Sequence, residues 1–198
     1  RRIVHGEANE VYALAFESGL EVIVRIARWT AGRFEKEAWA IGVARSLGVK
    51  APEVLSIQSA EAGDVSLDLC FMEKLPGERL SDRLDLPRET LRGVVRELGE
   101  QICRLHAVGW DDLGEAVRFF ENDTDDFLAM RPEFLRLAVD AGLSRSAVEA
   151  AAALDIAAHA GRAPLPRRLT RNDFRACHVM VHEGRLSGLI DFGEVSMD

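Results

Sequence analysis

The sequence predicts an α+β fold in two lobes: a small lobe built on an antiparallel sheet and a larger, mostly helical one. Three observations carry this expectation. Residues 1–75 are rich in short apolar, β-branched runs. Pro76-Gly77 then breaks the chain. Beyond the break, Leu91, Val94, Val95, Leu98, Ile102 and Leu105 recur at helical spacing. The domains are therefore expected at 1–75 and 76–198.

The elements follow in order. Val11 to Phe16 and Glu21 to Ile26 read as strands, with Glu17-Ser18-Gly19-Leu20 as the turn between them. A helix is expected from Gly32 to Leu47, with Phe34, Ala38, Ile41 and Arg45 on one face and Gly48 as its stop. Val54 to Ile57 and Val65 to Met72 are further strands. After the long amphipathic helix, Asp125 to Leu143 and Ser144 to Ala160 predict two more helices; Ser144 suits an N-cap and Gly161 a stop. Val179 to Val181, the turn His182-Glu183-Gly184-Arg185 and Leu186 to Ile190 form a hairpin.

That hairpin matters chemically. It follows Thr170-Arg171-Asn172-Asp173-Phe174 and ends in Ile190-Asp191-Phe192-Gly193. Folding it back brings Asp191 beside His178 and near Asp173, on a loop and its flanking strands. One carboxylate to orient a hydroxyl and two ligands to hold a nucleotide-bound magnesium ion are what phosphoryl transfer requires. The plainer alternative is that the two aspartates cap turns.

The totals narrow the classes. The chain has 198 residues, 47% of them apolar, enough for a sizeable core. No apolar run is long enough to cross a membrane, and no signal peptide is visible, although the chain opens on Arg1 without Met. The net charge of -8 argues against a nucleic-acid partner held by a basic surface and is compatible with a cationic small substrate. Cys70, Cys103 and Cys177 are odd in number and widely spaced, as expected of reduced thiols in a cytoplasmic protein.

The segment 170–193 resembles the catalytic and metal-binding segments of the aminoglycoside phosphotransferase and choline kinase-like family, relatives of the protein kinases. The family pattern is His-Gly-Asp, then Asn, and later Ile-Asp-Phe/Trp-Gly. Asp173 matches the catalytic Asp and Asp191 the magnesium Asp. His178 stands at the second metal ligand, where the aminoglycoside 2″-phosphotransferase branch is similar in carrying His. Arg171 replaces the family's His. The resemblance implies a bilobal protein kinase-like fold and transfer of the γ-phosphate of ATP or GTP, with Mg2+, to a small-molecule hydroxyl. The acceptor would be an aminoglycoside-like antibiotic or a related metabolite. Because members continue with further helices, it also implies that this chain is part of a longer fold.

Further roles follow from the same resemblance. Arg25, in Val22-Ile23-Val24-Arg25, stands at the phosphate-gripping Lys and Glu37 at its helix partner, with Glu35 as a competitor for the pairing. His5-Gly6-Glu7-Ala8-Asn9-Glu10 occupies the nucleotide-covering loop, so Gly6 and Asn9 are candidates to face the phosphates. Phe71-Met72-Glu73-Lys74-Leu75 resembles the segment joining the lobes, where backbone groups of Glu73 and Leu75 would meet the purine edge; Phe71 and Met72 either line that pocket or belong to the core. His106 is expected in the core. His178 and His182 lack the further ligands that zinc requires. The acidic stretches Asp111-Asp112 and Glu121 to Asp126 are either solvated or a negative wall for a polyamine. With Arg25, His178 and Arg171 departing from the pattern, the rival reading is a kinase-like binding module with little chemistry.

Overall fold

The computed structural model describes residues 2–4, 9–27, 33–63, 65–121, 132–133, 135–150, 153 and 166–197. Its first part is an antiparallel sheet in the order β1-β2-β3-β5-β4. The strands are β1 (Arg2–Val4), β2 (Asn9–Ala15), β3 (Glu21–Ala27), β4 (Val54–Ala62) and β5 (Val65–Glu73). The turn before β3 places Gly19 at φ 84, as the sequence predicts for a hairpin there. β4 and β5 run longer than expected, since Ser59 to Glu61 carry little apolar signal yet remain paired with β5.

Helix α1 (Arg33–Ser46) crosses between β3 and β4. Gly48 N donates to Arg45 O at 2.9 Å and Val49 N to Ala44 O at 2.9 Å. With Gly48 at φ 72, this is the left-handed cap expected of a terminating glycine. The buried face differs from the expected one. Phe34, Glu37, Ala40, Ile41 and Ala44 point inward, whereas Arg45 is exposed. The carboxylate of Glu37 therefore lies within the apolar stripe, which the periodicity of hydrophobic residues alone could not reveal.

The remainder is built around α2 (Arg88–Leu105) and two small sheets. One sheet has the order β6-β8-β9, from Glu78–Arg79, Val179–His182 and Arg185–Leu189; the other pairs β7 (Leu169–Arg171) with β10 (Val195–Met197). The β8–β9 turn has φ 50 at Glu183 and φ 74 at Gly184, the type I′ geometry that matches strand twist. At Gly77, φ is 93 and a Cβ would lie 2.0 Å from Val181 O, so only glycine lets the chain enter β6 this close to β8.

One core joins α1, α2 and these strands: Ile41, Ala44, Val94, Leu105, Val179, Val181, Leu186, Leu189 and Phe192. The buried face of α2 differs from the expected stripe. Val95 is 58% exposed rather than buried, and Gln101 takes an inward position, its Oε1 accepting from Lys50 N at 2.8 Å. His106, expected in the core, is exposed, because α2 ends at Leu105 and the chain turns there. Ser144 Oγ accepts from Ala147 N at 3.2 Å, as an N-cap should. Of the two helices expected between Asp125 and Ala160, the described residues show helical turns at 135–140 and 145–150; residues 125–131, 134, 151–152 and 154–160, with Gly161, lie outside the described residues. No helix of the described residues is long and apolar enough to cross a membrane.

Candidate active site

The site forms where β3, α1 and the β7–β10 region converge. Arg25 lies opposite Cys70 in the β3–β5 pair, and Ile23 lies opposite Met72. Side chains alternate along a strand, so Ile23, Arg25, Cys70 and Met72 share one sheet face while Phe71 lies on the other. Met72 is buried against Phe34 and Ala27.

Arg25 and Glu37 form a close, buried ion pair. The second nitrogen of the Arg25 fork lies 3.2 Å from Asp191 Oδ1. Glu37 Oε1 also accepts from the backbone N–H of Phe192 at 3.1 Å. Burial opposes the Arg25 charge, but Glu37 and Asp191 outweigh it and raise the guanidinium pKa. Burial pushes the Cys70 thiol in the other sense, to about 11, with Glu37 adding to the shift and Arg25 partly offsetting it. Glu35, the competing partner, faces solvent and lies 3.7 Å from Arg118 instead.

Asp173 sits on the loop after β7. Asn172 N donates to Glu194 O at 2.9 Å, and Asn172 Nδ2 donates to Ser196 Oγ at 2.9 Å. Thr170 Oγ1 lies 2.9 Å from the same Ser196 hydroxyl. The loop is thus anchored to β10 immediately before Asp173. Arg175 Nε donates to Asp173 Oδ1 at 2.6 Å, a contact between a largely exposed guanidinium and a half-buried carboxylate. Neither this pairing nor the Ser196 anchor was foreseen; the only available signal was a cation two residues after Asp173.

His178 ends a short 3-10 turn, Ala176–His178, rather than lying on the strand as expected. Ile190 N donates to His178 O at 2.9 Å, so the hairpin register brings Asp191 beside His178. The Nδ1 of His178 lies 3.0 Å from the Asp173 carbonyl. A carbonyl can only accept, so Nδ1 carries a proton, and in the neutral imidazole Nε2 is then the lone pair. Nε2 faces Asp191 Oδ2 at 3.4 Å. In that tautomer two acceptors face one another, an arrangement that a cation between them would satisfy. Ligand atoms of Asp173, His178 and Asp191 all lie within 4.8 Å of one another, and they form the one such group among the described residues. Two carboxylates and one imidazole fit a divalent cation such as Mg2+, with His178 the softer donor.

The other candidates are placed differently. Asn9 is buried as the first residue of β2, not in the loop before it. Gly6, with His5, Glu7 and Ala8, lies outside the described residues. Glu73 ends β5; its N–H donates to Glu53 O at 2.8 Å and its carboxylate accepts from Glu53 N at 3.1 Å. Leu75 is buried, with Cδ1 2.6 Å from where a Cβ on Gly188 would stand. His182 is half exposed beside Glu183 and takes no part in the cluster. Asp111 and Asp112 are exposed, and the acidic stretch beyond Glu121 lies outside the described residues.

Comparison with known proteins places this geometry. Three solved structures illustrate the likeness. A thermostable mutant of aminoglycoside phosphotransferase APH(4)-Ia, in ternary complex with AMP-PNP and hygromycin B, superposes with a TM-score of 0.68 at 21% identity, over 98% of this chain and 66% of that one. The GDP complex of an aminoglycoside 2'-phosphotransferase-IIIa mutant gives 0.70 at 18% identity, over 100% and 66%. The gentamicin complex of APH(2")-IIa gives 0.66 at 17% identity, again over 100% and 66%. At such identities the likeness establishes a shared fold, the bilobal kinase-like one; the chain spans just under two thirds of the length of these structures. Among curated protein sequences none matches this chain significantly. The model of the APH phosphotransferase enzyme family, by contrast, matches residues 1–198 in full. The chain belongs to the phosphotransferase enzyme family.

Proposed function

We propose that the protein is a small-molecule kinase that transfers the γ-phosphate of ATP or GTP to a hydroxyl of an aminoglycoside-like antibiotic or related metabolite. The observation that supports it best is the convergence of Asp173, His178 and Asp191 on one point, next to an Arg25–Glu37 pair that also reaches Asp191. In this reading Asp173 accepts or orients the acceptor hydroxyl, a task that rests on position more than on basicity. Asp191 and His178 hold Mg2+, which when bound neutralises charge building on the phosphate oxygens. Arg25, aimed by Glu37, steadies the α- and β-phosphates.

The nucleotide would lie between the lobe 1–75 and the remainder, 76–198, against the face that carries Ile23 and Met72. Its purine edge would meet backbone groups of Glu73 and Leu75. The loop at Gly6 and the start of β2 at Asn9 would cover the phosphates. The acceptor is a small molecule, with neither nucleic acid nor membrane as partner, and the setting is cytoplasmic.

A second reading has one specific observation in its favour. Arg175 neutralises Asp173, which would suit a nucleotide-binding module that performs little chemistry. Magnesium-dependent phosphate transfer by the full chain, tested against aminoglycosides, macrolides, sugars and amino alcohols, decides between them. Transfer to one class establishes the kinase and its acceptor; nucleotide binding indifferent to magnesium, without transfer, establishes the module.

A further inference from the structure

The buried Arg171 has a set of contacts that the reading above leaves unused. Its Nε donates to the carbonyl of Asp191 at 3.0 Å and its Nη2 to the carbonyl of Ile190 at 2.5 Å. Its guanidinium carbon lies 5.0 Å from the ring centre of Phe174 and 5.3 Å from that of Phe192. The remaining nitrogen, Nη1, is buried without a hydrogen-bond partner. Desolvating a cation costs much, and here neither hydrogen bond goes to a carboxylate. Burial accordingly draws the guanidinium pKa down, against the pull of Asp191, Asp173 and Glu37.

The gripped peptide is unusual in itself. Asp191 has φ 67, the left-handed region that a non-glycine residue seldom adopts. There its carbonyl meets Arg171, while its carboxylate meets Arg25 and His178. The backbone conformation and the aim of the carboxylate are one geometry. Arg171 also stacks on Phe174 of the Asp173 loop, so the same side chain ties that loop to the segment bearing Asp191.

We propose that Arg171 is a positioning residue that holds Asp191 in its left-handed conformation and thereby presets the carboxylate for a divalent cation. The inference rests on the reading of Asp191 as a cation ligand. The rigid fork of a guanidinium holds two consecutive carbonyls at once in fixed geometry; a neutral imidazole has one N–H to give, and the three donors of an ammonium lack the fork's fixed spacing.

The test is a calorimetric titration of the full chain with ADP, with and without Mn2+, beside melting curves that confirm folding. Mn2+ is expected to tighten ADP binding by the parent protein, and Asp191→Asn to abolish that linkage. Arg171→Met is expected to weaken the Mn2+-linked step by about tenfold or more, the usual scale for a group that orients a ligand. ADP binding without metal should stay within about twofold. Arg171→His and Arg171→Lys should recover part of the loss, and either serves if Arg171→Met does not fold. Folded variants whose Mn2+ linkage all stays within about twofold of the parent would overturn the positioning role while leaving Asp191 as a ligand. Absence of linkage in the parent protein would overturn both.

Discussion

Glu37 and Phe192 are joined by a hydrogen bond from the Phe192 N–H to Glu37 Oε1, 3.1 Å long and buried. The same oxygen is paired with Arg25. One carboxylate atom thus connects helix α1, strand β3 and the segment after β9. Removing it leaves the buried Arg25 cation without its buried counter-charge, with the more exposed Asp191 still beside it. Glu37→Ala is therefore expected to destabilise the fold by about 3–5 kcal/mol, lowering the melting temperature by roughly 10 °C or more. Glu37→Gln keeps an acceptor for Phe192 and should lose less. Equal losses for the two variants would show that the retained acceptor contributes nothing and that the lost charge carries the whole effect.

In the proposed reading Asp173 bears on chemistry rather than folding; its carboxylate is half-buried and its partner Arg175 is on the surface. Asp173→Ala should lower turnover by about a hundredfold or more with nucleotide affinity nearly intact. An unchanged kcat would exclude its assigned role.

Arg25→Lys tests the fork. A guanidinium reaches Glu37 and Asp191 together, whereas an ammonium is a point charge without that fixed geometry. The variant should fold, and the KM for nucleotide should change more than the KM for the acceptor. The reverse pattern would place Arg25 away from the phosphates.

The thiols should react in order of access. Cys103 is exposed, and Cys70 is buried with its pKa pushed up to about 11. At pH 8 only about one Cys70 in a thousand is thiolate, so alkylation timed by peptide mass should mark Cys103 early and Cys70 last. The sign for stability follows as well. Through roughly pH 9 to 11 an unfolded chain releases this proton while the folded one keeps it, so stability falls across that interval, and Cys70→Ala should flatten the fall.

Gly77→Ala places a methyl group against Val181 O at a backbone angle that alanine avoids. A loss of about 2 kcal/mol or more is expected, read as a lower melting temperature. A neutral outcome would mean that β6 can move away from β8.

Local pattern made the hairpins, α1, α2 and the chemistry of the 170–193 segment readable from the sequence, because alternation, helical period and turn residues act over a few positions. Asp191 could be placed beside His178 because the turn at Glu183 and Gly184 sets the register of β8 and β9. The chain by itself also determined the family, through Asp173, His178 and Asp191. What covers each face was decided only in three dimensions. A stripe on α2 could not show that Val95 faces outward, nor could periodicity show that Glu37 points into the core. Arg171 read merely as a departure, because its partners are the carbonyls of Ile190 and Asp191, and a backbone carbonyl has no signature in the sequence. The sequence pairs Arg25 with Glu37 alone, and Asp191, 166 residues away, is a further partner. Contacts over such distances depend on how strands and helices pack, and the balance between burial and pairing that sets the charge at Arg25, Arg171 and Cys70 exists only once that packing is complete.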